Sequence, residues 1–392
     1  MIPDKIDMGL FEYILPEERI ALYPAQPRSN SKLLMYYQGN ISHHTFSGIT
    51  NLLPPDSLLV FNQTKVIQAR IKVKKTTGAE IEIFLLEPLN ESMPQSMSSI
   101  YSTTWKCMVG NKRKWKEDEI LNIDEVQCSW INREENVIQL TWKSKFIFAE
   151  ILSRIGNIPI PPYINRAAEE SDKENYQTVY SSIEGSVAAP TAGLHFTEEI
   201  LEELSAQGIQ KEFITLHVGA GTFKPVETSN ALEHEMHEEN FFVELSTIKN
   251  LLKHHGNIIP VGTTSMRTLE SLYWIGVGLH LNKVNPFRVE QFYPYQCEEQ
   301  NFSLQSSLEA IIDYMDKNHL QTMEARTGIY IVPGYRFRMC NGLITNFHQP
   351  GSTLLLLVAA LIGNDWKKVY QSAMDNDYRF LSFGDSSYLK PL

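Results

Sequence analysis

Two short runs in this chain combine backbone-exposing residues with a single titratable ring. Gly185 to Phe196 reads GSVAAPTAGLHF and carries His195, and Thr215 to Phe223 reads TLHVGAGTF and carries His217. Gly, Ala, Ser and Thr let main chain approach a ligand closely, and a histidine near neutral pH can take or give a proton there. A packed interior would call for larger side chains. A third stretch, LITNFHQPGST from Leu343 to Thr353, sets Asn346 and His348 just before an apolar run. Ser352 and Thr353 are natural helix caps there, whereas Asn346 and His348 need other partners, and a ligand can be one.

Further candidates surround these three. The loop Gly219-Ala220-Gly221-Thr222 could admit a phosphate, a ribose or an adenosine, but it lacks both a complete GxGxxG and the lysine of a P-loop. A tight structural turn is the alternative. Thr263-Thr264-Ser265 with Arg267 reads as another strand-to-helix junction, and Arg379 and Asp385 lie six residues apart in a turn-rich tail where they can pair. His234-Glu235-Met236-His237 raises the question of a metal, but HExH is not the HExxH pattern and no cysteine pair supports it. No metal site is expected.

The elements that must position these groups change texture along the chain. A short helix is expected at Pro16 to Leu22, then strands at Lys32 to Tyr37 and Ser57 to Phe61. From Val66 to about Glu150 short alternating segments such as IQARIKVKK and VIQLTWKSKFIF lack any sustained helical period. They predict a small antiparallel β-barrel or sandwich inserted into a larger domain. Beyond it strand and helix alternate: Thr197 caps a helix that ends at Gly208, Lys211 to Val218 is a strand, and Asn257 to Val261 leads through GTTS into a helix carrying Arg267, Leu269 and Leu272. The fold class is therefore α/β and multi-domain, with residues 1–66 and 151–392 forming the larger domain and 67–150 the insert.

A chain of 392 residues exceeds one hydrophobic core. Its longest apolar run, Leu354 to Ile362, is nine residues, too short for a bilayer, and predicts a buried helix. Acidic residues at 4, 7, 12, 17 and 18 argue against a secretory signal, so a cytoplasmic protein is expected, with four unpaired cysteines and no membrane partner. The net charge of −11 speaks against nucleic acid, yet residues 70–150 hold twelve Lys plus Arg against twelve Asp plus Glu. Within that neutral segment Lys112, Arg113 and Lys114 cluster near Trp105 and Trp115, an arrangement that could join phosphate contacts to base stacking. A solvated hairpin is the other reading.

Taken in order, GSVAAPTAGLHFTEE, TLHVGAGTFKPV, EHEMHEE, VGTTSMRTLES, VPGYRF, LITNFHQPGSTLL and YRFLSFGD resemble the S-adenosylmethionine:tRNA ribosyltransferase-isomerases of queuosine biosynthesis. LPEERIALYPAQPR, FNQTKVIQAR, IPIPPYI and YQTVY extend the similarity over nearly the whole chain. The resemblance implies transfer and isomerisation of the ribosyl group of S-adenosylmethionine onto 7-aminomethyl-7-deazaguanine at the tRNA wobble position, giving epoxyqueuosine-tRNA. It also implies an α/β domain interrupted by a β-barrel, with S-adenosylmethionine as co-substrate and no cofactor. On the chemistry of the residues, proton transfer falls to His195 or His217, with His348 third. Substrate binding falls to Thr191, Gly193, Gly219, Gly221, Thr222, Thr264, Arg267, Asn346, Ser352 and Asp385, with Arg267 gripping the methionine carboxylate. Lys112, Arg113 and Lys114 would meet tRNA, and a monomer is expected.

The chain departs from the family pattern at Asn62-Gln63-Thr64, where Asn-Asp-Thr is usual, at Gln68 in place of proline, and at Ala325-Arg326-Thr327-Gly328 in place of Trp-Thr-Asp. The stretch from Ser271 to Ile329 is also long. These changes frame a competing expectation, an S-adenosylmethionine- or nucleoside-binding paralogue with an altered or lost tRNA acceptor. If the basic cluster meets tRNA, charge reversal at Lys112, Arg113 and Lys114 will weaken tRNA binding and flatten its salt dependence. Filter binding across a salt series with unaltered affinity would reduce the cluster to a solvated hairpin.

Overall fold

The computed structural model describes residues 4–219, 226–297 and 301–391. Its central sheet is six-stranded and mixed, in the order Ile258–Pro260, Leu58–Asn62, Gln210–Leu216, Glu239–Glu244, Thr322–Thr327, Arg288–Val289. The first three strands run parallel, and Leu58–Asn62 between them is buried along its whole length, as a strand covered on both faces must be. Beyond Gln210–Leu216 the next two pairings are antiparallel. A four-stranded sheet, Leu343–Asn346, Ser386–Lys390, Lys32–Tyr37, Asn40–Thr45, brings the C-terminal tail against the N-terminal segment.

Residues 70–157 supply a separate seven-stranded sheet that is antiparallel throughout. Its Arg70–Lys74 strand buries Ile71 and Val73 and turns its basic residues outward, the period-two pattern of a half-buried strand. The sheet curls, so that Arg70–Lys74 comes near Leu121–Ile123, although no ladder joins them among the described residues. Its core, around Ile83, Trp105, Trp115 and Phe148, is largely its own. The result is a mixed α/β, multi-domain architecture with several sheets.

The long helix Thr263–His280 is buried on nearly every side, which explains its content of Ser, Thr and Gly at close-packed positions. Within it lies Glu270, fully buried, whose carboxylate accepts from Tyr335 Oη at 2.8 Å and from the backbone N–H groups of Arg338, Met339 and Cys340 at 2.9, 3.0 and 3.0 Å. One side chain thus satisfies four donors between Tyr335 and Cys340. Burial pushes its carboxyl group above the usual range, against those hydrogen bonds.

Most expected elements are present, including the Thr197-capped helix Glu198–Ala206 and the buried helix Thr353–Ile362. The helix expected at Pro16 to Leu22 is only a 3-10 turn, Glu17–Arg19. Its backbone is used elsewhere: Arg19 O accepts from Phe380 N at 2.7 Å, and Ala21 N donates to Phe380 O at 3.3 Å. Tertiary pairing with the tail replaces the next helical turn.

Replacing Glu270 with Ala would strand four buried donors, and we expect a loss of about 3–5 kcal/mol in denaturant unfolding. Glu270→Gln, which keeps one acceptor oxygen, should lose less. Equal stability of the two variants would show that the loop does not depend on this carboxylate.

Candidate active site

Two clefts adjoin at Val218 and Leu354, which line both. The narrower has a cavity volume of about 80 Å³ and is lined by Thr191, Thr264, Asn346, His348 and Ser352 among others. Two helix N-termini converge on it. Gly262, whose φ of +95° suits glycine, turns the strand Ile258–Pro260 into the helix Thr263–His280, while Ser352 caps the helix Thr353–Ile362 by accepting from Leu355 N at 3.3 Å. Helix N-termini attract negative charge. The wider cleft, about 490 Å³, lies between the central sheet and the seven-stranded sheet and is lined by His217, Gly219, Arg267, Phe242 and, from residues 70–157, Met93 and Met108.

The three candidate histidines occupy different environments. His195 is buried, with Nδ1 2.8 Å from Ser31 Oγ and Nε2 3.1 Å from Asn346 Nδ2, and it does not line either cleft. With Asn346 donating to Nε2, the ring is the Nδ1–H tautomer and donates to Ser31. Asn346 Oδ1 in turn accepts from Thr191 Oγ1 at 2.9 Å, so His195 reaches the narrow cleft through Asn346. His348 lines that cleft, with Nε2 3.1 Å from Thr345 Oγ1. His217 lines the wide cleft beside the junction residue Val218; its Nδ1 is 3.2 Å from Thr64 Oγ1, and Nε2 has no partner among the described residues. A Cβ on Gly185 would come within 2.7 Å of the His217 ring, so only glycine leaves room for it there.

Burial lowers the proton affinity of all three rings. Desolvation, with a contribution from the Arg379 and Arg28 charges, pushes His195 down to about 3; desolvation alone takes His217 to about 4 and His348 to about 3. All are neutral near pH 7, the form that accepts a proton.

The other candidates fall into groups. Thr191, Thr264, Asn346 and Ser352 come together around the narrow cleft, while Gly219 and Arg267 lie on the wide one. Arg267 is almost fully buried: Nη1 meets Glu239 Oε2 at 2.7 Å, Nε donates to Ile329 O at 3.3 Å, and Nη2 alone is without a hydrogen-bond partner. Gly193 and Asp385 line neither cleft. A Cβ at Gly193 would lie 1.8 Å from Tyr180 Oη, and Asp385 accepts from Lys32 N and Arg379 N while pairing with the Arg379 guanidinium at 3.3 Å. Gly221 and Thr222 lie outside the described residues. Lys112, Arg113 and Lys114 form an exposed turn with no ion pair among the described residues. Trp105 and Trp115 do not present faces for base stacking: both are buried in the insert's core, their indole N–H groups bound to Thr103 Oγ1 and Glu119 O. Alternation along the strand sends Trp105 inward with Cys107, opposite to Lys106.

Gln63, the departure that raised doubt about the acceptor, lines neither cleft; it bonds Thr215 Oγ1 at 3.3 Å and Ser182 Oγ at 3.1 Å. Sequence reasoning missed Asn62, Ser186 and Tyr163, the last of which lines the narrow cleft. Asn62 ends a strand otherwise made of apolar residues, and that change of polarity was the available signal. Ser186 Oγ accepts from Val218 N at 3.1 Å and so ties the two histidine-bearing runs together. Among the described residues no three of His, Cys, Asp and Glu gather as a metal set, and no helix is long and apolar enough to cross a membrane.

Fold and site together define a multi-domain α/β protein with two adjoining clefts beside its central sheet. The chain belongs to the queuosine biosynthesis protein family, whose sequence pattern matches residues 8–389. A relative from Sulfurihydrogenibium sp. (strain YO3AOP1), named S-adenosylmethionine:tRNA ribosyltransferase-isomerase, is 37% identical over 384 residues, 96% of this chain and 97% of that protein. One of the same name from Legionella pneumophila (strain Lens) is 38% identical over 385 residues, covering 97% and 98%. The crystal structure of the S-adenosylmethionine tRNA ribosyltransferase from Thermotoga maritima aligns over 97% of this chain and 99% of that one, at 28% identity and a TM-score of 0.47.

Each buried histidine binds a proton less readily folded than unfolded, so as pH falls the unfolded chain takes up protons first. Stability is therefore full above the ordinary histidine value of 6.5 and declines toward pH 3. Melting temperatures at about pH 7 and about pH 5 should show this fall, and His195→Gln should show a smaller one. An equal fall in the variant would dissociate the effect from this ring.

Proposed function

We infer that the chain is an S-adenosylmethionine:tRNA ribosyltransferase-isomerase of queuosine biosynthesis. It transfers and isomerises the ribosyl group of S-adenosylmethionine onto 7-aminomethyl-7-deazaguanine at the tRNA wobble position, giving epoxyqueuosine-tRNA. S-adenosylmethionine and tRNA are its substrates. In our reading the donor is a co-substrate, no further cofactor takes part, and the protein works as a cytoplasmic monomer.

The two clefts divide these substrates. The narrow one, with two helix N-termini and the hydroxyls of Thr191 and Thr264, suits the donor's carboxylate and ribose. The wide one, walled by the insert, suits the base of a tRNA nucleotide. For the architecture we read residues 67–150 as an inserted small antiparallel β-barrel domain and residues 1–66 with 151–392 as the α/β domain it interrupts. The insert's own core supports this division.

The observation that carries the mechanism is the place of His217, next to the junction of the clefts, neutral and with Nε2 unpartnered. The sulfonium acidifies the adjacent ribose C5′–H, and a neutral imidazole can take that proton, leaving the electron pair on carbon beside sulfur. His217 Nε2 is the acceptor in this reading. Bond formation with the aminomethyl nitrogen then proceeds with loss of adenine and methionine. His195 serves as a positioning residue, holding Asn346 and through it Thr191 at the cleft wall. His348 contributes a polar lining group to the donor cleft.

The protein incubated with S-adenosylmethionine should release adenine only when tRNA carrying the aminomethyl-deazaguanine base is present. His217→Gln should lower that turnover by about 10²–10⁴-fold while keeping affinity for both substrates. Wild-type protein that binds S-adenosylmethionine without tRNA-dependent adenine release would point instead to a binding paralogue. Full activity in His217→Gln would remove this histidine as the base.

A further inference from the structure

The strand Thr322–Thr327 carries a cation that the reaction described above does not use. Across the central sheet, His217 N donates to Asn240 O at 3.2 Å, and Asn240 stands opposite Arg326 in the ladder between Glu239–Glu244 and Thr322–Thr327. His217, Asn240 and Arg326 therefore form one row across three strands. Residues directly opposed in a ladder project to the same face, and all three line the wide cleft. Two strand spacings put the Arg326 backbone about 10 Å from that of His217.

Nearby arginines are already paired. Arg267 holds Glu239 at 2.7 Å, and Arg288, opposite Arg326 on the next strand, holds Glu238 at 2.7 Å. Arg326 is exposed and has no ion pair or side-chain hydrogen bond among the described residues. Of the cleft's carboxylates, Glu87 is also spoken for, by Lys106 at 2.9 Å. Glu324, two residues along the same face and opposite Phe242, is an exposed carboxylate about 7 Å from Arg326 along the strand. This face thus offers a cation acceptor and an anion acceptor side by side, at a separation that suits a nucleotide bearing an amine on its base and a phosphate on its backbone.

We propose that Arg326 binds a backbone phosphate flanking the modified nucleotide of the tRNA, and so sets the register of that nucleotide against His217. The proposal rests on the functional reading above. A guanidinium meets phosphate oxygens through paired N–H donors, which fixes orientation as well as distance. A phosphate is favoured over the donor's carboxylate because Arg326 lies on the open cleft, whereas the narrow cleft already presents two helix N-termini to a carboxylate.

The test uses the full chain and an anticodon stem-loop RNA carrying the aminomethyl-deazaguanine base. Arg326→Gln should raise KM for the RNA about tenfold and reduce the salt slope of RNA binding by about one, with the Kd for S-adenosylmethionine and the melting temperature unchanged. RNA with a neutral methylphosphonate at either flanking phosphate should weaken wild-type binding at one of the two positions. At that position it should have little further effect on Arg326→Gln. An unchanged KM and salt slope would overturn the proposal. So would weakened S-adenosylmethionine binding, which would assign the donor carboxylate to this arginine. Absence of adenine release by the wild-type protein would instead count against the underlying functional reading.

Discussion

The side chain of Asn62 holds the site together. It is fully buried at the end of Leu58–Asn62, donating through Nδ2 to Leu216 O at 2.9 Å and accepting at Oδ1 from Leu216 N at 3.0 Å. Its amide thus continues a ladder that the two backbones can no longer form, because Thr64–Val66 leaves the central sheet to pair with Ile183–Ser186. Oδ1 also accepts from Thr64 N at 3.2 Å, and Thr64 holds His217. An aspartate could not donate to Leu216 O, and an apolar residue would strand three buried backbone groups. This one amide thus ties the segment that leaves the central sheet at Thr64 to the strand that leads into His217.

Around that point, similar residues acquire different tasks from their surroundings. His195 and His217 come from runs of like composition, yet one has both nitrogens engaged inside the fold while the other keeps a nitrogen beside the cleft junction. Arg267 and Arg326 both line the wide cleft, but the first is fastened to Glu239 and braces the loop at Gly219, whose N–H reaches Glu239 Oε1 at 3.4 Å. The second faces open space. Burial separates these roles, since a buried charge must be paired whereas an exposed one is available to a ligand.

Stability and access are served by separate parts of the molecule. Glu270 anchors a loop that has no part in either cleft. Residues 70–157 pack Trp105 and Trp115 into a core that is largely their own and contribute Met93 and Met108 to the wide cleft. Their basic turn at Lys112 to Lys114 stays on the surface, so phosphate contact and base contact, if they come from this sheet, come from different residues.

The sequence by itself determined the family through its ordered motifs, the α/β class through alternating strand and helix patterns, and the antiparallel strands that follow Val66 through their period-two texture. It also marked Thr191, Thr264, Asn346 and His348 as candidates, because small and polar residues beside apolar runs need partners that local structure does not provide. Only the tertiary structure decided which histidine lies beside the cleft junction, that Asp385 closes a turn, that Trp105 and Trp115 are core, that Asn62 anchors the second run and that Ser186 ties it to the first. Several of those outcomes depend on contacts between residues more than a hundred positions apart, such as Ser31 with His195 and Asn62 with Leu216. Local propensity carries no record of such pairings. Burial and hydrogen-bond satisfaction, which separate the environments of His195 and His217, exist only once the chain has closed on itself.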